Sequence, residues 1–124
     1  MPDELSVELP VELLVFDRQI FECLVADVGA EAAKTLVKSL KAEIKAADGK
    51  MRSFILRRDM KSLETLAHGV KSAARSFGAI RLGSICALIE NGAKVGQGKN
   101  FLEDQARLYT AVSADTFKAL DGCR

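Results

Sequence analysis

Apolar residues recur at alternating spacings of four and three through the first half of the chain, which is the repeat of one face of an α-helix. The stripe lasts for three heptads and consists of Ala33, Val37, Leu40, Ile44, Ala47, Met51 and Phe54. The positions between them are mostly Lys, Glu, Ser and Arg. The pattern predicts one long helix over about residues 30–57 that buries one side.

Flanking signals predict two neighbouring helices. One covers about residues 17–28, with Asp17 as a possible N-cap and Phe16, Ile20 and Leu24 facing inward. Gly29 separates it from the long helix. The other covers about residues 60–76, begins after Asp59 as N-cap and closes at Gly78. Its apolar residues are Leu63, Leu66, Ala67, Val70, Ala74 and Phe77.

Two more helices are predicted towards the C-terminus. One covers about residues 79–95, with Leu82, Ile85, Cys86, Leu88, Ile89 and Ala93 on one side. The other covers about residues 101–120, with Leu102, Ala106, Tyr109, Val112, Thr116 and Leu120. The segment 92–100 contains three glycines and is the loop-like stretch of this half.

These elements predict an all-α fold. No segment alternates as a strand does, and 124 residues are enough for one hydrophobic core. One long helix and three of similar stripe, joined by short turns, fit an antiparallel up-and-down four-helix bundle. The first helix is expected to be an additional N-terminal helix that caps one end. We expect a single domain over residues 1–124 and a monomer, because the bundle core uses every apolar face.

Composition excludes several classes of protein. No apolar run approaches the length of about 20 residues that a membrane helix needs. The N-terminal sequence is acidic and has no apolar signal core, so we expect a cytoplasmic protein. Three cysteines at wide spacing and a single histidine argue against a zinc site and against a disulfide framework. We expect neither a metal nor a cofactor.

Charge is distributed unevenly along the chain. Residues 1–33 carry eight acids and one base, and residues 34–75 carry eleven bases and four acids. This asymmetry fits an anionic partner, and it fits equally well a set of solvated helix faces that partly neutralise one another. Nucleic acid is not expected as the partner, because aromatic residues are few and no recognition motif is present.

His68 is the residue that stands out chemically. At about 100° per residue, the apolar residues of its helix cluster in an arc of about 100°, and His68 lies about 160° from the centre of that arc. The ring is therefore predicted on the solvent side, together with Lys71, Arg75, Ser72 and Glu64. An exposed imidazole is a nucleophile, and nearby cations would offset the charge of a phosphoryl group on it.

The run from Leu66 to Ala79, LAHGVKSAARSFGA, resembles the signature of histidine-containing phosphotransfer (HPt) domains. That family shows Ala-His, an apolar residue two positions after the His, a Lys at three, small residues, and an apolar-Gly pair about ten positions on. Here these are His68, Val70, Lys71 and the pair Phe77-Gly78. The resemblance covers about residues 31–95. Ser72 departs from it, because the family usually has Gly after the Lys.

The resemblance implies a phosphocarrier of a multistep phosphorelay, with His68 as phosphoacceptor between the aspartates of two receiver domains. Receiver domains and a hybrid histidine kinase would be the partners. Lys71 would support the phosphoryl oxygens, and Glu64, Ser72 and Arg75 would help to dock the partner. Glu90 aligns with a position that can orient the imidazole, or it is a boundary residue of an amphipathic helix.

The sequence shows no ATP-binding region, so a phosphotransfer intermediate without turnover of its own is expected rather than an enzyme. The alternative is an adaptor bundle that docks receiver domains without carrying phosphate.

Overall fold

The computed structural model describes residues 14–122, and all regular secondary structure in that range is helical. The helices are α1 (Arg18–Val28), α2 (Ala30–Leu56), α3 (Met60–Ser76), α4 (Ile80–Val95) and α5 (Lys99–Asp121). The predicted all-α class is confirmed, and each helix begins and ends within two residues of its predicted bounds. None of the helices between residues 14 and 122 is both long enough and apolar enough to cross a bilayer.

Two aspartates begin helices as predicted. The Asp17 carboxylate accepts hydrogen bonds from the backbone N–H groups of Gln19 and Ile20, and the Asp59 carboxylate accepts one from Ser62. Each carboxylate satisfies N–H groups that have no partner within the first turn, and its negative charge suits the positive end of the helix dipole. These caps fix where α1 and α3 begin.

The predicted stripe of α2 forms its buried face, with a shift at the C-terminal end. Ala33, Leu40, Ile44, Ala47 and Met51 are buried, whereas Val37 and Phe54 are partly buried against the core. Ile55 takes the last buried place instead of Phe54. A straight helix has 3.6 residues per turn, so a stripe counted in steps of 3.5 drifts off the core face over three heptads.

Helices α2 to α5 form a closed ring of helix–helix contacts. Each contacts the next along the chain, and α5 returns to contact α2. The predicted core residues of α5 are all buried, and the Tyr109 hydroxyl donates to the Ile44 carbonyl of α2 at 2.8 Å. Burial raises the pKa of Tyr109, so this hydroxyl keeps its proton and its hydrogen bond.

Helix α1 packs on α2 and α3 through a face that includes the predicted residues but is centred on Phe21, which was not predicted. Phe21 is its buried residue, whereas Phe16 and Leu24 are partly buried against the core and Ile20 is of intermediate exposure. Apolar residues occur at six positions of this short helix, Ile20, Phe21, Leu24, Val25, Ala26 and Val28, so periodicity alone does not select its most buried residue. The packing against α2 decides it.

The predicted loop over residues 92–100 is shorter than expected. Helix α4 continues to Val95 and α5 begins at Lys99, so the connection consists of residues 96–98. Gly92 is buried within α4, where an added Cβ would lie 3.0 Å from the Phe101 ring. This glycine serves the close packing of α4 on α5 rather than a turn.

The turn between α3 and α4 depends on Gly78. Its φ is +90°, and its carbonyl accepts a hydrogen bond from the Asp17 N–H at 2.7 Å. A Cβ at this position would lie 2.5 Å from the Asp17 carbonyl oxygen. The start of α1 is thus seated directly on this turn.

We predict that Gly78→Ala destabilises the fold by about 1–3 kcal/mol, because alanine is strained at this φ and its methyl displaces Asp17. Gly49→Ala is the control, since Gly49 is exposed within α2 and has open space around it. It should stabilise the protein by about 0.5–1 kcal/mol. Urea unfolding of both variants measures the two effects, and equal changes of the same sign would contradict the role assigned to Gly78.

Candidate phosphotransfer site

His68 lies on the solvent side of α3, as its position in the helical repeat predicted. Its side chain is 61% exposed. The opposite side of α3 carries the buried residues Leu63, Ala67, Val70 and Ala74, which hold the helix against the rest of the core. The ring therefore projects from a helix whose own position is fixed by packing.

Glu90 of α4 brings His68 and Lys71 together. His68 Nδ1 lies 3.0 Å from Glu90 Oε2, and Lys71 Nζ lies 2.6 Å from Glu90 Oε1. The carboxylate thus uses one oxygen for each partner. Glu90 and Lys71 are 15% and 20% exposed, so the pair lies mostly within the groove between the two helices.

The electrostatics keep Glu90 ionised. The Lys71 ammonium, which donates a hydrogen bond to the carboxylate, holds the pKa of Glu90 below its usual range. The hydrogen bond from His68 acts in the same direction, whereas burial opposes both. An ionised carboxylate only accepts hydrogen bonds, so Nδ1 of His68 is the donor. In the neutral ring, Nε2 then carries the free lone pair.

Helices α3 and α4 form the most extensive helix–helix contact of the described residues. Arg75 lies across Gly83 of α4, where an added Cβ would be 2.9 Å from the arginine Cγ. Cys86, one turn before Glu90, is fully buried beneath this groove. Burial raises the pKa of its thiol to about 12 despite the nearby Arg75 and Lys71 cations, so Cys86 is part of the core and not a nucleophile.

The surface beside His68 is open. Gly69 and Ser72 are both exposed, and nothing lies within 4 Å of where a Gly69 Cβ would be. A partner could therefore approach the ring closely from this side.

Glu64, which was predicted to share this face, is half-buried and pairs at 3.9 Å with Lys94 of α4. Sequence reasoning missed Lys94, although its place one turn after Glu90 on the same helix could have indicated it.

Nothing among residues 14–122 forms a group of three or more His, Cys, Asp or Glu side chains that could hold a metal ion. Cys23 is exposed and Cys86 is buried, both as free thiols. Cys123 lies outside the described residues. The chemistry available at the site is therefore that of an imidazole, a carboxylate and an ammonium.

The Hpt domain family matches residues 30–120 of the chain, which span α2 to α5. The chain therefore belongs to the Hpt domain family. Membership implies histidine phosphotransfer in phosphorelay signalling, in which Hpt domains are phosphocarriers rather than classical enzymes and interact with receiver domains and kinases. Comparison with curated proteins gave no significant match. Comparison with solved structures gave none either.

We predict that the contribution of Glu90 to stability disappears in acid. A group whose pKa is lowered on folding stabilises the native state above its unfolded pKa, and this stabilisation is lost as the pH falls through the folded value. The comparison is made in a His68→Gln background, so that the ring does not titrate in the same experiment. Adding Glu90→Gln should lower the free energy of unfolding at pH 7, and the difference should shrink below the ordinary glutamate pKa of about 4.5.

Urea unfolding of the two chains between pH 3 and pH 7 measures this difference. A gap that stays constant down to pH 3 would show that the Lys71–Glu90 pair does not depend on the charge of Glu90.

Proposed function

We propose that this protein carries a phosphoryl group on Nε2 of His68 and passes it between receiver domains of a multistep phosphorelay. The observation that carries the proposal is the orientation of the ring. Nδ1 is held by Glu90 at 3.0 Å, and the other nitrogen belongs to a side chain that is 61% exposed. An imidazole held in this way presents an unprotonated nucleophile to an approaching partner.

The transfer needs position and charge more than any further catalytic group. Nε2 attacks the phosphorus of an aspartyl phosphate on the donor receiver domain. The P–N bond forms, the P–O bond to the aspartate breaks, and the carboxylate leaves with the electron pair. Transfer to the acceptor domain reverses these steps. No ATP and no metal ligand of this chain enters them.

Lys71 is proposed to support the phosphoryl group. It lies one turn from His68 on α3 and is held by the same Glu90 carboxylate, with its ammonium 2.6 Å from Oε1. A phosphoryl group on the ring adds negative charge within reach of this ammonium, which can then donate to a phosphoryl oxygen as well. The pairing with Glu90 keeps the long side chain near the ring before the phosphate arrives.

Glu64, Ser72 and Arg75 are proposed to form part of the docking surface around His68. Ser72 is exposed and small, and it follows Lys71 on the same side of α3. Arg75 is exposed two turns from His68, where it can meet acidic groups of a partner. Glu64 adds a carboxylate on the other side of the ring.

The finer features of the fold belong to the same proposal. The sequence in which α2 to α5 contact one another supports an up-and-down four-helix bundle. The hydrogen bond between the start of α1 and the α3–α4 turn supports a role of α1 as a cap over one end. We further propose a monomer that forms a single domain. A cytoplasmic location is proposed because a phosphorelay draws its phosphate from ATP inside the cell.

We predict that His68→Ala leaves the fold intact and abolishes phosphate acceptance. The side chain lies opposite the buried face of α3, so its loss removes little packing. The measurement is uptake of acid-labile phosphate from a phosphorylated receiver domain, with circular dichroism as the control for folding. His68→Gln keeps size and polarity and should behave in the same way. A folded variant that still accepts phosphate would contradict the assignment, and a wild-type chain that binds receivers without uptake would indicate an adaptor.

We predict that Lys71→Ala and Arg75→Ala slow transfer at different steps. Loss of Lys71 should reduce the transfer rate under saturating partner by about tenfold, which corresponds to one charge-assisted hydrogen bond of about 1.4 kcal/mol. Loss of Arg75 should weaken docking instead, and its effect should shrink as salt screens the encounter. Single-turnover rates against partner concentration at two ionic strengths separate the two. A wild-type rate for Lys71→Ala at saturation would remove Lys71 from the chemical step.

A further inference from the structure

The side chain that holds Nδ1 of His68 is the carboxylate of Glu90, and its charge matters once the ring carries a phosphoryl group. A neutral amide at residue 90 could also accept the hydrogen bond from Nδ1 and hold the ring in place. A carboxylate does more, because its negative charge favours keeping the proton on Nδ1. The contact is 3.0 Å long and Glu90 is mostly shielded from solvent, so the charge acts on the ring at close range.

We propose that Glu90 is a positioning residue that keeps Nδ1 of the phosphorylated ring protonated and thereby sets how readily the phosphoryl group leaves His68. The inference rests on the proposed function of His68. It concerns the lifetime of the phosphorylated state and its readiness to pass phosphate on, rather than the identity of the acceptor nitrogen.

The proton decides what the leaving group is. When an acceptor oxygen attacks phosphorus, the P–Nε2 bond breaks and its electron pair returns to Nε2. If Nδ1 holds a proton, the group that leaves is a neutral imidazole. If Nδ1 has lost its proton, an imidazolate anion must leave, which is a far stronger base and a poorer leaving group. The acceptor is an aspartate carboxylate in transfer and a water molecule in hydrolysis, and the Nδ1 proton stays in place in both.

The charged groups beside the ring belong to α3 and α4. Glu90 interacts with His68 and with the Lys71 ammonium, and these two side chains are the charged groups that shift the pKa of Glu90 in the described structure. Glu64 and Lys94 pair with each other, and Arg75 lies against Gly83.

Lys71 opposes the proton on Nδ1, and the Glu90 charge offsets Lys71. Glu90→Gln therefore removes an anion and leaves an uncompensated cation beside the ring, both of which favour loss of the proton.

The test follows the loss of phosphate from the protein alone. The full chain is phosphorylated with phosphoramidate, the reagent is removed, and loss of phosphate from His68 is followed by ³¹P NMR between pH 5 and pH 9. The chain has a single histidine, so the signal is unambiguous. Glu103→Gln is the matched control, because it makes the same change of charge on α5, which has no contact with α3 in the described structure. No receiver domain is present, so docking has no influence.

In the wild type, loss should slow as the pH rises and Nδ1 loses its proton. The curve of phosphate-loss rate against pH should be displaced by about one unit to lower pH in Glu90→Gln. At pH 8 this variant should therefore lose its phosphate about tenfold more slowly than the wild type. The two curves should meet in acid, where both rings are protonated. Glu103→Gln should follow the wild type within about twofold. A Glu90→Gln curve that superimposes on the wild type, or lies at higher pH, overturns the inference.

A second measurement needs no variant and covers the case in which Glu90→Gln fails to fold. The ¹⁵N shift of Nδ1 in the phosphorylated wild-type protein reports its proton directly. The proton should still be present at a pH at which free phosphohistidine has lost it, and its absence there overturns the inference. A wild-type chain that takes up no phosphate overturns the proposed function itself, which distinguishes the two failures.

Discussion

The Glu90 carboxylate accepts a hydrogen bond from His68 Nδ1 and pairs with the Lys71 ammonium, and it belongs to a different helix from both. Its position is therefore a property of the packing of α3 on α4 rather than of either helix alone. That packing is the most extensive in the described structure and is made dense by small residues such as Gly83. A shift of α4 along α3 by one turn, about 5.4 Å, would separate the carboxylate from both partners.

Helix α3 contributes to the core with one side and to the candidate site with the opposite side. The side of α3 that faces inward holds Leu63, Ala67, Val70 and Ala74 in full burial, and the opposite side holds His68 in solvent. Because His68 contributes little to packing, its ring can be exposed without cost to the core. The turn after α3 depends on Gly78, whose carbonyl accepts a hydrogen bond from Asp17 at the start of α1. The site is thus an exposed ring on a rigid support, which suits the proposed transfer between two partners in succession.

The sequence predicted what depends on local periodicity and left open what depends on packing. The exposure of His68 and the caps at Asp17 and Asp59 follow from residues within one helix, so they could be derived in advance. The burial of Phe21 in α1 could not, because it depends on the packing of α1 against α2 and α3. The contact between His68 and Glu90 joins residues 22 positions apart, and only the family resemblance indicated it. The pairing of Lys71 with Glu90 was not predicted, since spacing assigns neither side chain a partner on another helix.

The central claim is that a receiver domain delivers phosphate to Nε2 of His68 while Nδ1 keeps its hydrogen bond to Glu90. The direct measurement is heteronuclear NMR of the ¹⁵N-labelled protein after transfer from a phosphorylated receiver domain. We expect ³¹P coupling to Nε2 and a proton on Nδ1. Coupling to Nδ1, or the absence of any phosphorylated ring after exposure to phosphorylated receiver domains, would contradict it.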